Sequence, residues 1–221
     1  MNQIIGGNGH TIRAIIFDLD NCLAAADEMG RSFFEPGFAA IRRANDGAVS
    51  EEDLVRAFED SWRIPLDFVA EKYGFSDTML SAGWEVFAKL EVQTPMYGYG
   101  DLDVLDQLPV ARFLVTSGFR RLQESKIRAL GFAPTFRTTK VDAIDEPGRK
   151  GKHGLFSEIL ESEQLRPDEA LVVGDNPDSE IAAGNRLGMP TVQILRPGVS
   201  RGDNAGYYVE GLAELKRRLV S

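Results

Sequence analysis

Asp18 and Asp20 close a short β-branched run, Thr11 to Phe17; Thr116 and Ser117 close a second, Ala111 to Val115; Asp175 follows a third, Ala170 to Val173. Runs of this kind read as buried strands. In an open parallel sheet, ligands sit outside the carboxyl ends of the strands. Three carboxylates and a hydroxyl pair are therefore expected to converge at one rim. Lys150 and Lys152 stand just before a helical pattern that opens at Leu155, and they bring ammonium groups to the same edge. Clustered carboxylates repel one another unless a cation joins them, and hard oxygen ligands suit Mg²⁺. The hydroxyls and lysines supply hydrogen bonds and positive charge for a phosphoryl group. Together these types suggest metal-assisted phosphoryl transfer.

Positioning these side chains requires a sheet. A fourth apolar run, Thr191 to Leu195, and a weaker fifth, Phe136 to Thr139, add to the first three. Helical patterns lie between and after them: Arg120–Leu130 closed by Gly131, Leu155–Glu163, Ser179–Leu187 closed by Gly188, and Glu210–Leu219. Strands alternating with helices of this length imply parallel βαβ units. The expected class is α/β, a doubly wound parallel sheet with helices on both faces. From Ala24 to about Thr94 the pattern changes to helices alone, with candidates at Glu35–Ala44, Glu51–Trp62 and Asp77–Leu90. Ser50 followed by Asp53 marks the second as a capped start. The predicted organisation is a core of residues 1–23 and 96–221, with a small all-helical domain over 24–95. Pro95, Gly98 and Gly100 return the chain to the sheet.

Composition narrows the function classes. With 221 residues and 43% hydrophobic content the chain can bury a sizeable core. The formal charge of −9 argues against a nucleic-acid binder, which needs a basic footprint, yet permits a locally positive site for a small anion. No run approaches the roughly 20 apolar residues of a membrane span, and Met1 to Arg13 lacks an apolar core of signal-peptide length. The single cysteine, Cys22, cannot form an internal disulfide and suggests a reducing compartment. A cytoplasmic protein is the expectation.

Quoted in order, the motifs resemble those of the haloacid dehalogenase superfamily. Phe17-Asp18-Leu19-Asp20-Asn21-Cys22-Leu23 resembles its first motif, Phe113 to Phe119 its second, Lys150 or Lys152 before a helix its third, and Val172 to Ile181 its fourth. The helical insertion resembles the cap of the phosphoglycolate phosphatase-like subgroup. The resemblance implies a nucleophile at Asp18, forming an aspartyl-phosphate, and a general acid and base at Asp20. It implies Mg²⁺ held by Asp18, Asp175 and the backbone carbonyl of Asp20, and phosphoryl contacts from Thr116, Ser117 and a lysine. Asp20 favours a phosphatase over a dehalogenase, which needs no acid there. The implied partner is a small phosphorylated metabolite. A phosphotransferase or mutase shares this chemistry, and a catalytically weak regulatory protein could keep the fold. Monomer and homodimer are both open.

Three departures from the family pattern stand out. Cys22 replaces the usual Thr, so a loop-supporting hydroxyl is lost. Glu180 replaces the second acid of the fourth motif, usually Asp, and Asp178 competes for that role. Counting back from Phe156 selects Lys150, the preferred choice, whereas the helix phase selects Lys152. Thr116 and Ser117 could equally cap the following helix. In the insertion, Phe33, Phe34, Arg42, Arg43, Trp62, Arg63 and Lys72 could face a substrate or serve a small core. His10 and His153 make no metal-ligand pattern, and Gly6-Gly7-Asn8-Gly9 precedes its strand instead of following it, unlike a dinucleotide fingerprint.

Overall fold

A computed structural model describes residues 11–131 and 133–220, so His10 and Gly6-Gly7-Asn8-Gly9 lie outside the described residues. Its strands are β1 (Ala14–Phe17), β2 (Ala111–Gly118), β3 (Thr138–Ala143), β4 (Ala170–Gly174), β5 (Thr191–Ile194) and β6 (Tyr207–Val209). All pair in parallel, in the order β3-β2-β1-β4-β5-β6. Central β1 and β4 are buried at every residue, as strands covered on both faces must be. Alternation divides them. Ile15 and Phe17 pack with Ile127 of α5 (Arg120–Leu130) and with Leu212 and Leu215 of α8 (Leu212–Val220). Ala14 and Ile16 pack on the other face with Phe156 and Ile159 of α6 (Gly151–Ser162) and Ala183 of α7 (Ala182–Arg186). The sheet is doubly wound, as expected.

The edges depart from the sequence reading. The fifth candidate strand lies later, at Thr138–Ala143, because an edge strand with exposed Thr138 and Thr139 carries no continuous apolar run. β6 was not expected; its brevity gives no period to detect. α6 opens at Gly151, before Leu155, which places Lys152 inside its first turn. The expected helix Ser179–Leu187 is divided into a π-type turn over Pro177–Ile181 and the short α7.

The inserted segment forms α1 (Glu35–Ala44), α2 (Glu51–Asp60), α3 (Leu66–Tyr73) and α4 (Asp77–Phe87), preceded by a 3-10 turn over Arg31–Phe34. Ser50 caps α2 by accepting from the Asp53 N–H at 3.1 Å. α3 was not expected, although Pro65 and left-handed Gly74 bracket it as helix ends. α1 and α4 approach closely because Gly37 lies against the Phe87 ring and Gly83 against Ile41, where a Cβ would come within 2.4 and 2.7 Å. Phe34, Phe38, Phe58, Trp62 and Phe87 form its aromatic centre, with Phe34 stacked on Trp62 at 4.2 Å and Phe38 on Phe58 at 4.3 Å. That centre continues into Phe119, Leu122 and Ile144 of the sheet region. Among the described residues, no helix is long and apolar enough to cross a membrane.

Candidate active site

Register brings the rim together. Phe17 is level with Leu114 and with Val173, so Asp18 ends β1 beside Thr116 and Asp175 on its two neighbours. The Asp18 N–H donates to the Val173 carbonyl at 2.9 Å, which holds the turn against β4. Beyond it the chain coils tightly. The N–H groups of Leu23 and Ala24 return to the Leu19 carbonyl, and Asn21 takes a left-handed conformation that Asn tolerates. The Cys22 thiol reaches the Val173 carbonyl at 3.6 Å, and burial pushes its pKa well up, so it fills space as a protonated thiol.

Lys152 is the hub of the site. Its ammonium donates to Asp18 Oδ1 at 2.7 Å and to Glu180 Oε2 at 2.7 Å. Glu180 Oε1 accepts from the Asn176 N–H, so both of its oxygens are engaged. Its side chain folds across Gly174, where a Cβ would lie 2.2 Å from Glu180 Cγ; glycine makes room for the longer acid. The Asp175 carboxylate and Asp18 Oδ2 accept no hydrogen bond among the described residues, and both residues line the cleft. The Asp175 backbone carbonyl accepts from Gln193 at 2.8 Å.

Asp20 points to a different anchor. Lys126 Nζ donates to its Oδ1 at 2.7 Å and Gln123 Nε2 to its Oδ2 at 3.1 Å. Gln123 also donates to the Ser117 carbonyl and accepts from the Thr116 hydroxyl at 3.4 Å. Neither Gln123 nor Lys126 was foreseen. The available signal was a lysine on the apolar face of α5, one turn after Leu122: a buried ammonium requires an acid.

Other expected residues lie elsewhere. The preference for Lys150 is corrected: its side chain is 60% exposed and paired with Glu158, whereas that of Lys152 is 8% exposed. Lys152 and Phe156 share one buried helix face four residues apart, and Lys150 precedes the helix. Hydrogen bonds from Lys140 and Lys150 hold Glu158 down to about 2. Asp178 is exposed and outside the cleft; its N–H donates to the Asn176 side chain as a turn cap. The Ser117 hydroxyl turns to Asp142 at 3.1 Å. Neither Thr116 nor Ser117 caps α5; Phe119 occupies the cap, and Asp145 accepts from the Arg120 N–H at 2.9 Å.

Electrostatics single out the same cluster. Burial, with the charges of Glu180 and Asp20, pushes the Asp18 carboxyl up to about 7 against the opposing pull of Lys152. Burial, Glu180 and Asp18 push Asp175 up to about 8. For Lys152, burial works to lower the pKa, but Asp18 and Glu180 outweigh it and hold the ammonium charged. Asp18, Asp175 and Glu180 each offer an oxygen within 4.8 Å of one another. Three buried carboxylates around one ammonium leave negative charge in excess, and the all-oxygen donor set fits a hard divalent cation.

The inserted helices roof the cleft. Phe34, Trp62, Ile64, Leu66 and Phe87 line it from above; Phe119, Leu122 and Ile144 line it from the sheet side. Of the other insertion candidates, Arg63 reaches the cleft rim, where its guanidinium donates to the Gly198 carbonyl. Arg42 pairs with Glu51, Lys72 with Asp60, Arg43 is exposed, and Phe33 packs at the edge of the aromatic centre. Arg149 bridges the two halves, donating to Asp67 of α3 at 2.5 Å and to Asp142 of β3 at 2.9 Å. Near the two linkers, the Glu28 carboxylate accepts from the N–H groups of Tyr97 and Gly98.

Comparison with known proteins places this geometry in context. The model of the haloacid dehalogenase-like hydrolases matches residues 12–188. A glyceraldehyde 3-phosphate phosphatase of Methanopyrus kandleri is 27% identical over 210 residues, covering 84% of each chain. A HAD phosphatase from Thermococcus onnurineus has the same fold, with a TM-score of 0.63 at 20% identity over 95% of this chain and 98% of that one. A HAD-hydrolase from Bacillus subtilis, described as bound to magnesium with interdomain movement, superposes with a TM-score of 0.62 at 18% identity over 96% and 100% of the two chains.

Proposed function

The chain belongs to the haloacid dehalogenase-like hydrolases, and from that premise we propose that it is a Mg²⁺-dependent phosphatase acting on a small phosphomonoester. The observation that carries the reading is the joining of Asp18, Lys152, Glu180 and Asp175 in one buried cluster, with Asp20 two residues on in the same cleft. The Methanopyrus relative supports the phosphatase assignment and makes glyceraldehyde 3-phosphate the first natural ester to try.

The residues divide the work as follows. The free oxygen of Asp18 attacks phosphorus, and the bond from phosphorus to the ester oxygen breaks. Asp20 gives the departing oxygen a proton. In the second half, Asp20 takes a proton from water while the water oxygen attacks the aspartyl-phosphate; inorganic phosphate leaves and the Asp18 carboxylate is restored. Lys152 balances charge on Asp18 and on the phosphoryl oxygens, and the Thr116 hydroxyl offers those oxygens a donor. Asp18, Asp175 and the Asp20 backbone carbonyl would hold Mg²⁺, with Glu180 orienting the set through Lys152 and the Asn176 N–H. When bound, the cation supplies Lewis-acid polarisation of the phosphoryl group and alignment of the attack. The roof of inserted helices covers the cleft, whose cavity of about 100 Å³ suits a small substrate.

Hydrolysis of p-nitrophenyl phosphate with Mg²⁺, with EDTA, and by Asp18→Asn tests the reading. Phosphate release is expected only from the wild-type protein with metal. Release that survives either loss would rule out the proposed chemistry.

A further inference from the structure

The part of the cleft beyond the phosphoryl site differs sharply in character from the carboxylate rim. Phe34, Trp62, Ile64 and Phe87 come from the inserted helices, and Phe119 and Ile144 from the sheet region; all six are apolar, and they enclose the space next to Asp18 and Asp20. The two buried cations that line the same cleft are already committed: Lys152 serves Asp18 and Glu180, and Lys126 serves Asp20. Arg63 is exposed at the rim, where one of its guanidinium nitrogens donates to the Gly198 carbonyl. On the roof, the Ser61 hydroxyl also has a partner, donating to the Ala57 carbonyl at 2.9 Å.

We infer that the leaving-group subsite selects an uncharged, largely apolar alcohol, and rejects phosphoesters that carry a second anion. The inference rests on the phosphatase reading and specifies its substrate class. A carboxylate or second phosphate seated against these six side chains would lose most of its water and meet no donor among them except the Trp62 indole N–H, an expensive burial. An alkyl or aryl group would gain instead, by removing apolar surface from water on both sides. The four carboxylates lining the cleft, Asp18, Asp20, Asp175 and Glu180, oppose a second anion further.

The test compares matched esters on the wild-type protein with Mg²⁺: propyl phosphate and phenyl phosphate against phosphoglycolate, which is close to propyl phosphate in size. kcat/KM at least tenfold higher for the uncharged pair is expected. Equal values, or a preference for phosphoglycolate, overturn the apolar assignment and leave the phosphatase reading standing. No phosphate release from any ester overturns both. Ile64→Arg, on the partly exposed roof turn, should narrow the ratio by raising phosphoglycolate use. Calorimetric binding of propylphosphonate against phosphonoacetate gives the same comparison without turnover; tighter binding of the phosphonoacetate would count against the inference.

Discussion

Lys126 donates to Asp20 from a position on α5 that is only 2% exposed, so the acid proposed to handle protons is anchored from the helix after β2 and not from its own loop. Gln123, one turn earlier, holds the other oxygen and also the Thr116 hydroxyl. The contact makes α5 a positioning element. Lys126→Met keeps the aliphatic stem and removes the donor. The expected result is a fall in kcat of about 10²-fold, the lower end of what general acid–base catalysis contributes, with KM changed little. Lys126→Arg should recover part of the loss. Steady-state kinetics on the three proteins decide it; an unchanged kcat for the Met variant would show that Asp20 needs no such anchor.

The two candidate lysines should behave oppositely. Removing Lys152 leaves Asp18 and Glu180 buried without a counter-charge, a loss of about 3–5 kcal/mol for a broken buried pair. Lys152→Ala should therefore lower the melting temperature strongly and abolish turnover. Lys150→Ala removes an exposed pair with Glu158 and should leave both near the wild-type values. Thermal melts and phosphate release measured side by side test the contrast, and a large loss in Lys150→Ala would reverse the assignment.

That contrast also shows where the sequence was legible. The central strands were readable because each is an apolar run ended by a reactive side chain, as in Ile15-Ile16-Phe17-Asp18 and Val172-Val173-Gly174-Asp175. Their order along the chain was enough to bring Asp18, Thr116 and Asp175 to one rim. Choosing between Lys150 and Lys152 depended on where α6 begins, and Gly151, in a left-handed conformation, sets that start before Leu155, where the helical pattern opens in the sequence. Glu180 and Asp178 are separated by only about half a turn of a π-type segment, so they face different ways, in a geometry that no 3.6-residue period describes. The roof residues were the least legible. Phe34, Trp62 and Phe87 serve the aromatic centre of the insertion and the cleft wall at once, so their apolar character marks both roles alike.

The raised carboxyls make stability depend on pH with a definite sign. Asp18 and Asp175 bind protons more tightly folded, at about 7 and 8, than an ordinary aspartate does at 3.8. Between pH 4 and pH 8 the folded protein thus holds more protons than the unfolded chain, and stability falls as pH rises through that window. In EDTA the melting temperature should decline from pH 5.5 to pH 8. Asp175→Asn should flatten the slope and stabilise the metal-free protein at pH 8, while lowering activity. Added Mg²⁺ should raise the melting temperature more at pH 8 than at pH 5.5, because proton and cation compete for the same oxygens. A metal-free protein whose stability rises over this range would contradict the burial of these groups as charges.

Asp18→Asn separates chemistry from folding. The substitution removes the attacking oxygen and, with it, a carboxylate that burial disfavours. Turnover should fall below detection while the metal-free melting temperature at pH 8 stays level or rises. A loss of fold instead, seen by circular dichroism, would mean that the Lys152 pair outweighs the burial cost of Asp18.

Arg149 ties the inserted helices to the sheet region: it joins Asp67 on α3 to Asp142 on β3 and lies over the Phe68 ring at 5.3 Å. Asp142 is held independently by the Gly151 N–H at 2.9 Å and by Ser117, so it keeps partners when Arg149 is removed. Asp67 does not, and its charge then favours an open, hydrated roof. Arg149→Met should thus weaken closure without emptying the site: KM for a small phosphoester rises several-fold, and amide hydrogen exchange in residues 61–66 accelerates. If opening limits product release, kcat rises in the same variant; if closure limits chemistry, kcat falls. Unchanged exchange in 61–66 together with unchanged KM would show that the remaining contacts, among them Phe87 with Phe119 at 5.9 Å and Trp84 with Phe119 at 4.9 Å, hold the roof shut without Arg149.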